Sequence, residues 1–121
     1  MIIADTSVWV HHLRSGDPDL EARLIVDEIL AHPFIIGELA LGTLNPRHAI
    51  LALMGALPRA VVAEPDEVLR LIDGEGMSGA GIGYVDASLL ASARLTPEAM
   101  LWTRDRRLDQ LATRMGCAFA P

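Results

Sequence analysis

The chain has 121 residues, 51% of them hydrophobic, with sixteen acids against ten basic residues and a formal net charge of −6 at pH 7. Every basic residue is arginine, which excludes P-loop, Schiff-base and Ser–Lys chemistry and the lysine of a response-regulator receiver site. No apolar run reaches the roughly 18–20 residues of a membrane helix, the lone Cys117 leaves no internal disulfide or cysteine zinc site, and no signal-like segment opens the chain, so one cytoplasmic domain over residues 1–121 is expected.

Met1-Ile2-Ile3-Ala4 reads as a short apolar strand that stops at Asp5. Thr6 or Ser7 is expected to cap a helix through Val8, Trp9, Val10 and Leu13. Ser15-Gly16-Asp17-Pro18 is a break, and Asp17 then caps a helix with Pro18 at its first position. A weak strand is expected over Glu28–Ala31. Pro33 opens a helix through Ile36, Leu39 and Leu41 that Gly42 ends, and Asn45-Pro46 starts another that runs to Pro58. Ala60–Ala63 is a short β-rich run, and Pro65 opens a helix through Val68, Leu69 and Ile72. Residues 74–83 form a glycine-rich loop. Gly83–Leu95 is predicted helical, Met100–Thr103 a strand, Asp105–Met115 a helix and Cys117–Phe119 a terminal strand. Short apolar strands alternating with helices predict an α/β fold, a sandwich around a central parallel sheet.

In such a sheet, functional groups collect at the carboxyl ends of the strands. Asp5 and Asp105 both fall there, although each also stands where a helix begins, so capping accounts for either one alone. Glu38 and Asp86 have less structural excuse. Glu38 shares a helix face with Phe34, Ile35 and Leu41, and Asp86 with Ile82, Leu89 and Leu90. A charged carboxylate on an apolar face is costly to bury. Asp86 lies near a helix start, where capping competes, whereas Glu38 is mid-helix. Carboxylates gathered in one place repel, and a divalent cation relieves that repulsion. With oxygen ligands alone the expected ion is Mg²⁺ or Mn²⁺, which activates water and stabilises charge on a transferring phosphoryl group. The acidic net charge opposes a broad basic RNA-binding surface but not a local grip on a few phosphates.

Four segments carry a family resemblance in order: Ile3-Ala4-Asp5-Thr6-Ser7-Val8-Trp9, Pro33–Gly42, Gly83–Ala91 and Leu101–Leu108. With them the chain resembles PIN-domain ribonucleases, in particular the VapC group of toxins from bacterial toxin–antitoxin pairs. The resemblance spans essentially the whole chain. It implies a PIN-like α/β/α sandwich and Mg²⁺- or Mn²⁺-dependent cleavage of RNA. Asp5, Glu38, Asp86 and Asp105 match the metal-coordinating, catalytic acids, and none of the four is replaced. A homodimer is implied too, together with a small VapB-like antitoxin that blocks the site; DNA would be reached only through that antitoxin. The Ala- and Leu-rich helix around Ala49–Leu57 suits a dimer face, an antitoxin groove or ordinary core.

Thr6 and Thr103 flank the expected site, as caps or as donors that orient Asp5 and Asp105. Arg104, Arg106 and Arg107 form the densest basic cluster, and arginine suits phosphate because it pairs bidentately; a solvated helix face explains them as well. Asp109 reads as a solvated residue or an outer ligand, and Arg14 as a charge that favours a helix C-terminus. His11 and His12 point apart on a helix and cannot share an ion. Trp9 and Trp102 belong in a core. The competing function is a non-catalytic RNA-binding or interaction module on the same fold, against which the complete acid set counts. A phosphatase with Asp5 as nucleophile would carry a second Asp two residues on, where Ser7 stands.

Overall fold

Ile2, Ile3 and Ala4 are three consecutive apolar residues with no alternation, the pattern of a strand buried on both faces. In the structure, a computed structural model that describes residues Met1–Pro121, they form β1 (Ile2–Ala4), at most 3% exposed. Strands β2 (Ile29–Leu30) and β3 (Met100–Trp102) pair with it in parallel, giving the order β2-β1-β3, with Ile2 opposite Ile29 on one side and Met100 on the other. Parallel neighbours need crossovers, and helices supply them on both faces of the sheet. The result is an α/β/α sandwich.

The helices are α1 (Thr6–Ser15), α2 (Pro18–Ile25), α3 (Pro33–Ala40), α4 (Arg47–Gly55), α5 (Pro65–Gly74), α6 (Tyr84–Leu95) and α7 (Arg106–Arg114). Proline stands at the first helical position of α2, α3 and α5, where its missing N–H costs nothing. Asp17 caps α2 by accepting from the Asp19 and Leu20 amides, and Glu64 with Glu67 forms a capping box on α5. Every residue of α6 from Ala87 to Ala93 is buried, so its small alanines and serines let it pack closely between α5 and the sheet.

Three expectations need correction. Neither Thr6 nor Ser7 caps α1; Asp5 does, accepting from the Val8 amide. Ala60–Ala63 is not a strand: Val61 and Val62 lie outward and only Arg59 bridges to Ala31, because the Val61 and Ala63 amides donate to Thr96 Oγ1 and Ser92 Oγ instead of to a neighbouring strand. Cys117–Phe119 likewise reduces to a bridge between Ala118 and Leu101, with two backbone hydrogen bonds of 2.7 and 2.9 Å. Both segments nonetheless extend the parallel ladder by one rung on either side. Trp9 and Trp102 are core, 1% and 4% exposed.

Candidate active site

The parallel register brings the carboxyl ends of β1, β2 and β3 to one edge, and α1, α3 and α7 start there. Asp5 immediately follows β1 and is buried, 5% exposed. Its two oxygens are separately held. Oδ1 accepts from the Ser7 hydroxyl at 2.5 Å and from the Val8 amide at 3.3 Å; Oδ2 accepts from the Thr103 hydroxyl at 2.5 Å. Burial pushes the Asp5 carboxyl above its ordinary value, and the Ser7, Thr103 and backbone hydrogen bonds oppose that rise.

Thr103 links the strand ends. Its hydroxyl oxygen also accepts from the Asp105 amide at 3.0 Å, while the Arg104 amide donates to Ser7 Oγ at 2.9 Å. The loop after β3 is thereby laced to the first turn of α1. Asp105 caps α7, its Oδ1 accepting from the Leu108 amide at 2.9 Å, and is exposed. Thr6 and Thr103 were both expected as caps or as donors that orient Asp5 and Asp105; Thr103 does donate to Asp5, whereas the Thr6 hydroxyl turns to Glu38 Oε1 (2.6 Å) and Ser7, expected only as a possible cap, donates to Asp5. The signal available for Ser7 was its place at the second helical position after an Asp cap, where a hydroxyl can fold back on the cap.

Glu38 is exposed rather than buried on an apolar face. The buried face of α3 carries Ile35 and Leu39, whereas Phe34 and Leu41, the neighbours expected to surround Glu38, are 38% and 90% exposed. Helical spacing identified a shared face but not which face met the core. Glu38 instead lies beside Thr6 at the sheet edge.

Asp86 sits in the first turn of α6, half-buried, and its carboxyl is pushed up to about 6. Burial is the largest cause, followed by the charges of Asp5, Asp105 and Glu38; a backbone hydrogen bond from Gly83 pulls the other way. All four sequence-predicted acids therefore share one electrostatic neighbourhood. They are coupled through space without being in contact: no three Asp, Glu, His or Cys side chains converge closely enough, as they stand, to hold one ion. The donor set still suits a hard divalent cation, being four carboxylates with neither sulfur nor imidazole among them, and their mutual repulsion is what such a cation relieves.

Two further groups support this edge. His32, 1% exposed, caps α3 with Nδ1 accepting from the Phe34 amide at 3.1 Å. The neutral ring's proton is then on Nε2 and donates to Ser92 Oγ of α6 at 3.0 Å, and burial lowers the imidazole's proton affinity. One buried side chain thus ties the Glu38 helix to the Asp86 helix, a role the sequence did not reveal. Arg107 lies against the glycine-rich loop: a Cβ on Gly81 would stand 2.6 Å from its Nη1. Arg104, Arg106 and Arg107 are exposed and in no ion pair. His11 and His12 serve the α1–α2 turn, His12 Nδ1 accepting from the Asp17 amide at 3.0 Å.

A family model described as the PIN domain matches residues 2–114. Two relatives, each named Ribonuclease VapC32 and coming from Mycobacterium tuberculosis strains CDC 1551 / Oshkosh and ATCC 25618 / H37Rv, are each 46% identical over 120 residues, covering 99% of this chain and 97% of the relative.

Proposed function

The chain belongs to the PIN-domain family, and on that premise we propose that it is a VapC-type toxin, a divalent-metal-dependent endoribonuclease that hydrolyses RNA phosphodiester bonds at Asp5, Glu38, Asp86 and Asp105. The observation that carries the reading is that Asp5, Glu38 and Asp105, from separate helices and loops, lie near enough for their charges to act on Asp86, whose carboxyl is raised first by burial and then by those charges. A core of ordinary caps and surface acids has no reason to focus that charge on one point. The names of the 46%-identical relatives support ribonuclease chemistry. No helix is long and apolar enough to cross a membrane.

Asp5, Glu38, Asp86 and Asp105 would hold Mg²⁺ or Mn²⁺, which when bound supplies charge stabilisation for the phosphoryl group and lowers the pKa of water. The chain's own residues prepare for that. Ser7 and Thr103 fix both Asp5 oxygens, so the buried carboxylate is oriented before any ligand arrives. Thr6 holds Glu38 from one oxygen and leaves the other free. The exposed arginines beside Asp105 offer bidentate contacts to phosphates flanking the scissile one.

The biological setting follows from the same reading: RNA as substrate, a VapB-like antitoxin that covers the site, a homodimer, and operator DNA reached only through the antitoxin. Incubation of purified protein with RNA, with Mg²⁺, Mn²⁺ or EDTA, tests it directly. Cleavage is expected with metal and none with chelator. Asp5→Asn and Asp86→Asn should abolish it while leaving the circular-dichroism spectrum unchanged; either variant cutting at the original rate removes the assignment.

A further inference from the structure

A cleft of about 290 Å³ opens beside the acids, between α1 and the α3–α4 connection. Its inner end is the Thr6–Glu38 hydrogen bond of the site itself. Its floor is one face of α1, where Thr6, Val10, Leu13 and Arg14 recur at helical spacing. Ile50 of α4 and the exposed Asn45 complete the opposite wall. Thr6 and Arg14 are eight positions apart on one helix, a rise of about 12 Å. The cleft therefore leads from the acidic edge to a positive charge.

That charge is free: Arg14 is in none of the chain's three ion pairs and is exposed. Arg47 adds a second one at the rim, where its Nη1 lies 3.5 Å from the Gly42 carbonyl. Cleft size also matters. Ligand pockets run from roughly 300 to 1,000 Å³, so this one suits a single small planar group. Val10, Leu13 and Ile50 offer apolar surface to the face of such a group, and the Asn45 amide offers both a donor and an acceptor to its edge.

We infer that this cleft receives the base and sugar of the nucleotide next to the scissile phosphate, with Arg14 gripping the phosphate beyond it. The inference rests on the ribonuclease reading and deepens it, making Arg14 a substrate-binding residue and Asn45 a determinant of base preference. Arg14 at the far end favours a phosphate-bearing chain as the occupant, and Glu38 at the near end meets a phosphate through the cation the acids would hold. A chain with a phosphate at each step meets a cation at the far end of the cleft and any cation held by the acids at the near end.

The test is equilibrium binding of labelled single-stranded oligoribonucleotides, one of each base, to the full-length protein in EDTA over a range of salt. Arg14→Gln is expected to weaken binding about tenfold and to lower the salt dependence by about one counterion. Arg14→Lys should recover most of the salt dependence, and Asn45→Ala should reorder the four homopolymers. Unchanged affinity and salt slope in a folded Arg14→Gln protein overturns the inference and leaves a peptide as the occupant to seek. Binding through Arg14 without cleavage on adding Mg²⁺ removes the nuclease reading and keeps the cleft. Cleavage with binding that ignores Arg14 removes the cleft alone, and absence of RNA binding in EDTA and in Mg²⁺ alike removes both.

Discussion

Thr103 donates its hydroxyl proton to Asp5 Oδ2 at 2.5 Å across 98 positions of sequence, and the same oxygen accepts the Asp105 amide at 3.0 Å. One hydroxyl therefore sets two acids that belong to two different strand ends. Thr103→Val keeps the shape and deletes both bonds. Loss of a hydrogen bond to a charged group costs about 1.5–3 kcal/mol, and the Asp5 carboxyl should rise further. Urea unfolding at neutral pH should show that loss, with RNA cleavage reduced; Thr103→Ser should restore both. Equal behaviour of the Val and Ser variants would mean the hydroxyl does not orient Asp5.

Asp86 predicts an inverted pH dependence in metal-free buffer. Its folded-state carboxyl titrates near 6 against 3.8 for the ordinary group, so between these values the folded chain binds more protons than the unfolded one. Unfolding free energy then falls as pH rises from about 4 to about 6 and is level above. At about 1.4 kcal/mol per pH unit the full shift would be about 3 kcal/mol, and solvent screening of a half-buried carboxylate brings it to about 1–2 kcal/mol. Asp86→Asn should be more stable than the original chain by that amount at pH 7 in EDTA. Mg²⁺ should raise the melting temperature of the original chain and move the variant less.

His32 has the opposite sign. Its proton affinity is lowered by burial, so its contribution is fully present above the unfolded value near 6.5 and is lost as pH falls through and below it. Protonation would place a second donor against the Phe34 amide that Nδ1 now accepts from. Measured in an Asp86→Asn background, so that the two slopes do not cancel, stability should decline on acidification from pH 7 to 5. His32→Asn, which retains a capping side chain, should flatten that decline; a slope identical with and without His32 would assign it elsewhere.

Gly81 has a φ of +80° and lies against the Arg107 guanidinium. Gly81→Ala meets both the left-handed backbone and the arginine, at a cost of about 1–3 kcal/mol. Adding Arg107→Ala should recover the steric part and leave the backbone part. Additive losses in the double variant would show that the side chain yields freely.

Asp105 combines capping with its proposed place among the metal-binding acids, and substitutions separate the two. Asn caps as well as Asp, whereas Ala at a cap costs about 0.5–2 kcal/mol. Asp105→Asn should keep the melting temperature and lose cleavage; Asp105→Ala should lose both. Retained cleavage in Asp105→Asn would confine this residue to the cap on Leu108.

Asp5 and Asp105 were placed by local rules: each follows a short apolar run, and in a parallel sheet the ends of those runs fall on one edge; Asp86 was singled out instead by the apolar face it shares with Ile82, Leu89 and Leu90. The apolar run Ile2-Ile3-Ala4, the proline-led helices and the Asp17 cap were determined the same way, by backbone geometry within a few residues. Which face of α3 meets the core was not, because α3 is apolar nearly all round and only its neighbours decide; hence Glu38 is exposed. Nor could residue spacing show that His32 would reach Ser92 60 positions away, or that Thr6 would turn to Glu38 while Ser7 took Asp5. Those pairings exist only once the strands are in register. The residue types in the acidic site were thus set by sequence, and the field that couples its four members was set by the tertiary fold.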